Sequence, residues 1–184
     1  MIFLNRKHAG ELLASKLHKY KDKNTVVLAL PRGGVPVAAA IAAKIGAPLD
    51  VLVVRKIGVP FNLELAAGAL CENEDPVYNN QVLSKAGLAP EDVMEVIQTE
   101  KKEIARQVKM YRHGLELIDL SHKTVVLVDD GLATGATVKA AIKFLKKKGA
   151  DEIVVAVPVA PTSSARAIRD KVDDFIVLEE RENL

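Results

Sequence analysis

The chain has 184 residues, of which 49% are hydrophobic and 27% are charged, which suits one compact domain over residues 1–184 with a sizeable core. Its 26 basic and 24 acidic side chains give a net charge of +2 without a basic block, so nucleic acid is not an expected partner. No apolar run reaches the ~18–20 residues of a membrane span, and the single Cys71 has no partner for an internal disulfide. No leader pattern opens the chain. We therefore expect a cytoplasmic protein that binds a small molecule.

The first third of the chain reads as helix, strand, turn and helix. Residues 6–20 place apolar side chains at helical spacing after Asn5, which suits an N-cap. Residues 25–30 (TVVLAL) predict a buried strand, and residues 36–45 predict an Ala-rich helix. In the PRGG turn between them, Gly33 and Gly34 free the backbone to offer amide groups and Arg32 adds a fork of donors. The turn therefore predicts an anion pocket, although a plain tight turn would have the same sequence.

The middle of the chain predicts a third strand, a lid and a long helix. Residues 50–58 (DVLVVRKIG) read as a strand ending in Arg55 and Lys56, cations that would face the ligand crevice at the end of a parallel strand. Lys56 would equally suit a solvated strand end. Short apolar runs with Pro, Gly and Asn between them predict a mobile lid with a small hairpin over about 56–80. Residues 90–112 predict one long helix, whose charge run 100–103 we place on its solvated side.

Residues 125–137 (VVLVDDGLATGAT) are the most informative stretch. A buried strand leads into Asp129 and Asp130 and then into a loop before a helix at 136–148. The free amide groups and the dipole of the helix N-terminus favour a phosphate, which Gly135 lets approach and the hydroxyls of Thr134 and Thr137 can bind. The aspartates would repel a bare phosphate, so they should face sugar hydroxyls or a divalent cation. The alternatives are a Thr-rich tight turn, or a phosphatase nucleophile, which the divergent directions of adjacent side chains disfavour.

The remaining pattern is strand, helix and strand, at residues 152–161, 162–172 and 174–180. Phe175 would suit either the core or stacking on a planar base. We assign no catalytic role to the histidines, because no second ligand or partner accompanies them: His8, His18, His113 and His122.

The run of a hydrophobic strand, two acidic residues, three variable positions and Thr-Gly-X-Thr resembles the signature of type I phosphoribosyltransferases. The Pro-Arg-Gly-Gly turn, the Arg-Lys-Ile-Gly strand end and the Tyr-Arg-His-Gly close of the long helix extend the likeness to a subgroup of predicted phosphoribosyltransferases. The resemblance implies an α/β three-layer sandwich with a mostly parallel central sheet, a flexible lid and a small hood at about 158–184. It also implies that Pro31–Gly34 binds the diphosphate of 5-phosphoribosyl 1-diphosphate (PRPP), often with an unusual peptide geometry.

The resemblance further implies a role for each motif residue. The implied catalytic residues are Asp129, Asp130, Arg32 and Lys56. The ribose and 5-phosphate would contact Asp129, Asp130, Gly131, Ala133, Thr134, Gly135, Ala136 and Thr137, and the diphosphate would contact Arg32, Gly33, Gly34, Arg55 and Lys56. The implied cofactor is Mg²⁺, held by Asp129 and Asp130 partly through oxygens of the ligand. Arg55, Lys56 and Glu64 resemble lid residues of adenine phosphoribosyltransferases.

The predicted activity is Mg²⁺-dependent transfer of 5-phosphoribosyl from PRPP to a nucleobase or related nitrogen acceptor, with release of diphosphate, in nucleotide metabolism or nucleoside salvage. Ala133 stands where hypoxanthine-guanine enzymes carry an aspartate, so a 6-oxopurine acceptor loses support. A homodimer would match the family. One alternative is a regulator that senses PRPP or a nucleotide without turnover, and another is a hydrolase that releases diphosphate from PRPP alone.

Overall fold

The computed structural model describes residues 3–182, without the side chains of residues 63 and 64. The chain divides into two compact units: one contains the chain up to Leu52, Leu117–Gly135 and the chain from Leu145 onward, and the other contains Val53–Glu116 and Ala136–Phe144. The first unit carries a parallel sheet and the second an antiparallel sheet. The domain limits drawn from the sequence, including those of the lid and the hood, stay predictions.

The strands, in chain order, are β1 (Thr25–Ala29), β2 (Leu49–Val51), β3 (Val54–Val59), β4 (Asn62–Cys71), β5 (Val77–Tyr78), β6 (Thr124–Val128), β7 (Glu152–Pro161) and β8 (Asp174–Arg181). The α-helices are α1 (Arg6–Lys16), α2 (Gly34–Ile45), α3 (Asn80–Ala86), α4 (Met94–Arg112), α5 (Ala136–Lys147) and α6 (Thr162–Arg169). Short 3₁₀ segments cover His18–Tyr20 and Pro90–Val93. No helix in residues 3–182 is both long enough and apolar enough to cross a membrane.

The sheet of the first unit has the order β2-β1-β6-β7-β8, and all four of its pairings are parallel. Every residue of β1 and β6 is buried, as expected for strands covered on both faces. This confirms the predicted α/β fold with a mostly parallel central sheet. The segment predicted as a hood, about 158–184, contributes β8 to this sheet, and its role in choosing the base stays a prediction.

Helices cover both faces of the parallel sheet. On one face, α1 and α2 pack against alternate residues of the strands in a single apolar core. The opposite face carries Phe175, over whose ring the guanidinium of Arg169 in α6 lies at 5.2 Å from the centroid. The predicted N-cap is confirmed, because the side chain of Asn5 accepts a hydrogen bond from the backbone N–H of His8 at 2.9 Å.

A polar cluster joins the 3₁₀ segment His18–Tyr20 to β8 within this unit. The carboxylate of Asp174 accepts a hydrogen bond from the hydroxyl of Tyr20 at 2.8 Å and pairs with the ammonium of Lys19 at 2.7 Å. Burial opposes ionisation of Asp174, but these two hydrogen bonds outweigh it and hold its pKa below the ordinary 3.8. Burial and the hydrogen bond to Asp174 raise the pKa of Tyr20 to about 12.

The single strand predicted at residues 50–58 is wrong. The structure has β2 pairing in parallel with β1, and β3 pairing antiparallel with β4, with Leu52 and Val53 buried between them. Arg55 and Lys56 therefore lie in an antiparallel strand and do not end a parallel one. A continuous apolar run predicts burial, but it does not show which partner strand each half of the run bonds to.

The second unit contains the antiparallel sheet β3-β4-β5 with α3 and α4. The predicted hairpin is confirmed as the antiparallel pairing of β4 with β5, in which Gly68 and Ala69 face Tyr78 and Val77, whereas mobility of this region stays a prediction. Helix α3 was not predicted, although its N-cap Asn79 accepts from the backbone N–H of Val82. The long helix predicted at 90–112 is observed as a 3₁₀ turn followed by α4, whose C-cap His113 has the left-handed conformation.

The second unit contains a buried ion pair. Glu72 follows β4 and Arg112 ends α4, and these residues are 3% and 8% exposed. Oε1 of Glu72 accepts from Nη1 of Arg112 at 2.9 Å and from the backbone N–H of Val53 at 3.2 Å, and Oε2 accepts from Nη2 of Arg112. Both charges are thus satisfied inside the unit, which buried charges require.

Candidate functional site

The carboxyl ends of β1 and β6 form the topological switch point of the parallel sheet. From β1 the chain continues to the neighbouring strand β2, and from β6 it continues to β7 on the other side. The two ends are joined by a hydrogen bond from the N–H of Leu30 to the carbonyl of Val128, at 2.9 Å. In open parallel sheets this is where a crevice forms and ligands bind.

The turn predicted to bind an anion follows β1 directly. Its peptide bond between Pro31 and Arg32 is cis. The N–H of Gly34 donates to the carbonyl of Leu30 at 3.0 Å, so this amide is used inside the turn. Among the residues that the structure describes, nothing accepts from the amide of Gly33 or pairs with the exposed side chain of Arg32. The donors that the turn presents at the start of α2 are therefore the Gly33 amide and the Arg32 guanidinium.

The two glycines of this turn are in close contact with the segment after β6. A Cβ on Gly33 would lie 2.1 Å from Oδ2 and 2.2 Å from Cγ of Asp130, and a Cβ on Gly34 would lie 2.6 Å from the carbonyl oxygen of Val128. A side chain on Gly33 would displace the Asp130 carboxylate, and a side chain on Gly34 would press on the backbone at the end of β6. The glycines thus allow two loops that are distant in sequence to meet.

The two acidic residues have different partners. The N–H of Asp130 donates to Oδ1 of Asp129 at 2.8 Å, which turns the Asp129 carboxylate back toward the main chain. The Asp130 carboxylate lies against Gly33, and its Oδ2 accepts from Nε and Nη2 of Arg6 at 2.8 and 2.7 Å. Sequence reasoning missed Arg6, because it lies 124 positions from Asp130 in a helix start with no motif of its own.

The loop between β6 and α5 is held from the side of α6 and β7. The N–H of Leu132 donates to the carbonyl of Val159 at 2.9 Å, and the hydroxyl of Ser164 donates to the carbonyl of Ala133 at 2.6 Å. Gly135 has φ +75°, a conformation that glycine adopts without strain. The side chain of Thr134 is exposed at the start of α5. This arrangement suits a phosphate at the helix N-terminus, as the motif predicted.

Other predicted residues lie in the second unit. Arg55, Lys56 and Thr137 line a cavity of about 400 Å³ with Glu100 of α4. Nε of Arg55 donates to Oε2 of Glu100 at 2.6 Å, and the Glu100 side chain is only 17% exposed. The prediction that the whole charge run 100–103 is solvated is therefore wrong at Glu100. A charged residue in the sequence does not show whether a partner lies on a neighbouring element, as Arg55 of β3 does here. The side chain of Glu64 lies outside the described residues.

A larger cavity of about 1010 Å³ lies between the end of β4 and α4 in the same unit. None of the predicted site residues lines it. The carboxylate of Glu72 at its wall is already bound by Arg112 and by the amide of Val53, and no buried side-chain nitrogen or oxygen in the described part of the chain lacks a hydrogen-bond partner. We therefore place the candidate site at the ends of β1 and β6 and not in the larger cavity.

Known proteins resemble this chain over most of its length. A family model described as a phosphoribosyl transferase domain matches residues 4–182. The chain belongs to the phosphoribosyltransferase family. The protein named "Putative phosphoribosyl transferase MT0597" of Mycobacterium tuberculosis is 42% identical over 177 residues, which are 96% of this chain and 40% of that protein. This phosphoribosyltransferase chain thus spans about two fifths of the length of the curated relatives it matches.

Solved structures support the same fold. The protein TT1426 from Thermus thermophilus superposes with a TM-score of 0.82 at 34% identity, covering 100% of this chain and 87% of that chain. The purine phosphoribosyltransferase from Pyrococcus horikoshii has a TM-score of 0.55 at 22% identity, covering 99% and 88% of the two chains, and this likeness shows the fold alone. The family resemblance inferred from the motifs is therefore confirmed.

The family implies Mg²⁺, and the acidic pair of this chain offers a limited ligand set. Within residues 3–182, no group of three or more His, Cys, Asp or Glu side chains is arranged to hold a metal ion. Two adjacent carboxylates next to a turn predicted to bind an anion still fit Mg²⁺, because this ion commonly takes one or two carboxylates and completes its shell with substrate phosphates and water. Asp129 and Asp130 are the residues that would hold it.

Proposed function

We propose that this phosphoribosyltransferase transfers the 5-phosphoribosyl group of PRPP to a nitrogen atom of a nucleobase or related acceptor and releases diphosphate. The observation that carries the proposal is the contact between the Asp130 carboxylate and Gly33. This contact joins the loop predicted to hold the ribose and 5-phosphate to the turn predicted to hold the diphosphate. A ligand with a phosphate at one end and a diphosphate at the other, on one ribose, suits such a pair of loops.

In the proposed reaction the bond between C1 of the ribose and the diphosphate oxygen breaks, and a bond from C1 to the acceptor nitrogen forms. Positive charge develops on the ribose and negative charge on the leaving group, so catalysis depends on position and electrostatics. The guanidinium of Arg32 and the amide of Gly33 are the donors that would stabilise the departing diphosphate. Asp130 would accept hydrogen bonds from the ribose hydroxyls, and the proton of the acceptor nitrogen passes to solvent as the new bond forms.

The 5-phosphate would bind at the start of α5. The exposed Thr134 and the left-handed Gly135 precede the first helical residues, where amide groups have no partner within the helix. Bound Mg²⁺ would supply charge neutralisation of the diphosphate. The roles of Arg55 and Lys56 at the diphosphate stay predictions. The argument from Ala133 against a 6-oxopurine acceptor also stays a prediction.

A panel assay tests the proposal directly. Diphosphate release is measured with PRPP, Mg²⁺ and each of a set of nucleobases and related nitrogen acceptors. We expect release with at least one acceptor and none with PRPP alone. Release from PRPP alone at a useful rate would indicate a hydrolase, and binding of PRPP without release across the panel would indicate a regulator that senses it.

A substitution at Asp130 tests the site within the same assay. Asp130→Asn keeps the shape of the side chain but removes its charge, so PRPP binding and turnover should both fall, by about 10²-fold or more in rate for the loss of a charged contact to the transition state. Asp170→Asn is the matched control, because Asp170 is exposed just after α6 and has no part in the predicted loops. Equal activity of the Asp130 variant and the parent would show that the ribose assignment is wrong.

A further inference from the structure

Arg6 is the cation that contacts the Asp130 carboxylate in the described part of the chain, and neither motif contains it. Its Nε and Nη2 both donate to Oδ2 of Asp130, at 2.8 and 2.7 Å. Both hydrogen bonds go to one oxygen, so Oδ1 is left for another donor. Arg6 thus holds the Oδ2 atom of Asp130 in place, while the Oδ1 atom stays available as an acceptor.

The position of Arg6 is set by the packing of α1 on α2. Gly10 lies one helical turn after Arg6 and so on the same face of α1. A Cβ on Gly10 would lie 2.5 Å from the carbonyl oxygen of Val37 and 2.8 Å from Cβ of Ala40, so α1 approaches α2 as closely as a glycine permits. The turn with Gly33 immediately precedes α2. The face of α1 that packs on α2 therefore carries Arg6 to the anion-binding turn.

The ion pair itself contributes little to stability. The side chains of Arg6 and Asp130 are 60% and 31% exposed. Exposed pairs of this kind add little to folding because water screens the charges and two side chains lose freedom. The packing of α1 on α2 builds the apolar core, but the exposed ion pair that it allows adds little to folding, so a role in the site is the main effect expected of the pair.

We propose that Arg6 is a positioning residue that orients the Asp130 carboxylate for the ribose of PRPP. Arg6 binds Oδ2 and holds the carboxylate against Gly33, and Oδ1 then accepts from a ribose hydroxyl. The inference rests on the proposed function, because Asp130 has this task only if the protein binds PRPP. Arg6 acts through Asp130, so its effect must disappear when Asp130 is removed.

A double-mutant cycle on PRPP affinity tests this, with the parent, Arg6→Ala, Asp130→Asn and the double variant measured by calorimetry in Mg²⁺. We expect Arg6→Ala to weaken PRPP binding about tenfold, the lower end for hydrogen bonds to a charged group. The double variant should bind within about twofold of Asp130→Asn, because the two residues act as one unit. Arg6→Lys, which keeps the charge, should recover part of the loss, and the thermal midpoint of Arg6→Ala should fall by no more than about 4 °C.

Arg106→Ala is the matched control. Arg106 in α4 is 59% exposed and pairs with Glu103 at 2.7 Å, so it matches Arg6 in exposure and in having an acidic partner, away from the site. PRPP affinity should not change in this variant. An unchanged affinity in Arg6→Ala, an equal loss in Arg106→Ala, or additive effects in the cycle would each overturn the role of Arg6 while the proposed function stands. A parent protein that does not bind PRPP would overturn both.

Discussion

The buried pair of Glu72 and Arg112 gives the largest stability effect that we expect from a single substitution. Arg112→Met keeps an unbranched apolar stem of similar reach but removes the guanidinium. The carboxylate of Glu72, which is 3% exposed, then keeps only the N–H of Val53 as a donor. Removing one partner of a buried pair typically costs about 3–5 kcal/mol. That is a large share of the ~5–15 kcal/mol that stabilises a domain.

The assay is urea unfolding followed by circular dichroism, with Arg106→Met as the control on the same helix. The control removes an exposed pair and should cost less than about 1 kcal/mol. The double variant Glu72→Gln/Arg112→Met removes both charges and keeps an oxygen for the N–H of Val53, so it should recover most of the lost free energy of unfolding. If Arg112→Met cost no more than Arg106→Met, the pair would not be buried as described and the reasoning would fail.

Three further predictions concern the site and the surrounding charges. Gly33→Ala should keep the fold, since Gly33 has φ −61° and ψ −37°, which alanine adopts freely. The added methyl group should displace the Asp130 carboxylate and weaken PRPP binding about tenfold, as measured by calorimetry. An unchanged affinity would contradict the contact between Gly33 and Asp130. The pKa of Asp174 is lowered in the folded state, so the stability that its charge contributes is present above about pH 4 and is lost as the pH falls through the folded-state pKa. Asp174→Asn should therefore flatten the acid limb of a plot of thermal midpoint against pH. Glu100→Gln should cost about 1 kcal/mol of unfolding free energy, because its partner Arg55 is 39% exposed and water screens the pair; a loss above about 3 kcal/mol would mean that the pair is more deeply buried than described.

Features encoded by neighbouring residues were predictable from the sequence. The buried strands, the Asn5 cap and the Pro90 helix start all follow from spacing or from a local hydrogen bond. The loop after β6 was also predictable, because a strand, two acids and a glycine-threonine run are contiguous in the chain. These local patterns were sufficient to identify the family.

Other features depended on which segments meet in space. The sequence places Arg6 and Asp130 124 positions apart, and Glu72 and Arg112 40 positions apart, so no local pattern pairs them. A charged residue in isolation reads as solvated, which is why Glu100 was misplaced and why the buried pair was not foreseen.

By itself, the sequence determined where the chain is buried, where its helices begin and which loop carries the motif of the family, because each of these depends on residues that are close together in the chain. The tertiary structure decided that the apolar run 50–58 is shared between two sheets, that Gly33 lies against Asp130, and that Arg6 reaches the acidic pair. The physical reason is that hydrophobic periodicity reports the burial of a residue and is silent about its partner. Partners are fixed only when the elements pack.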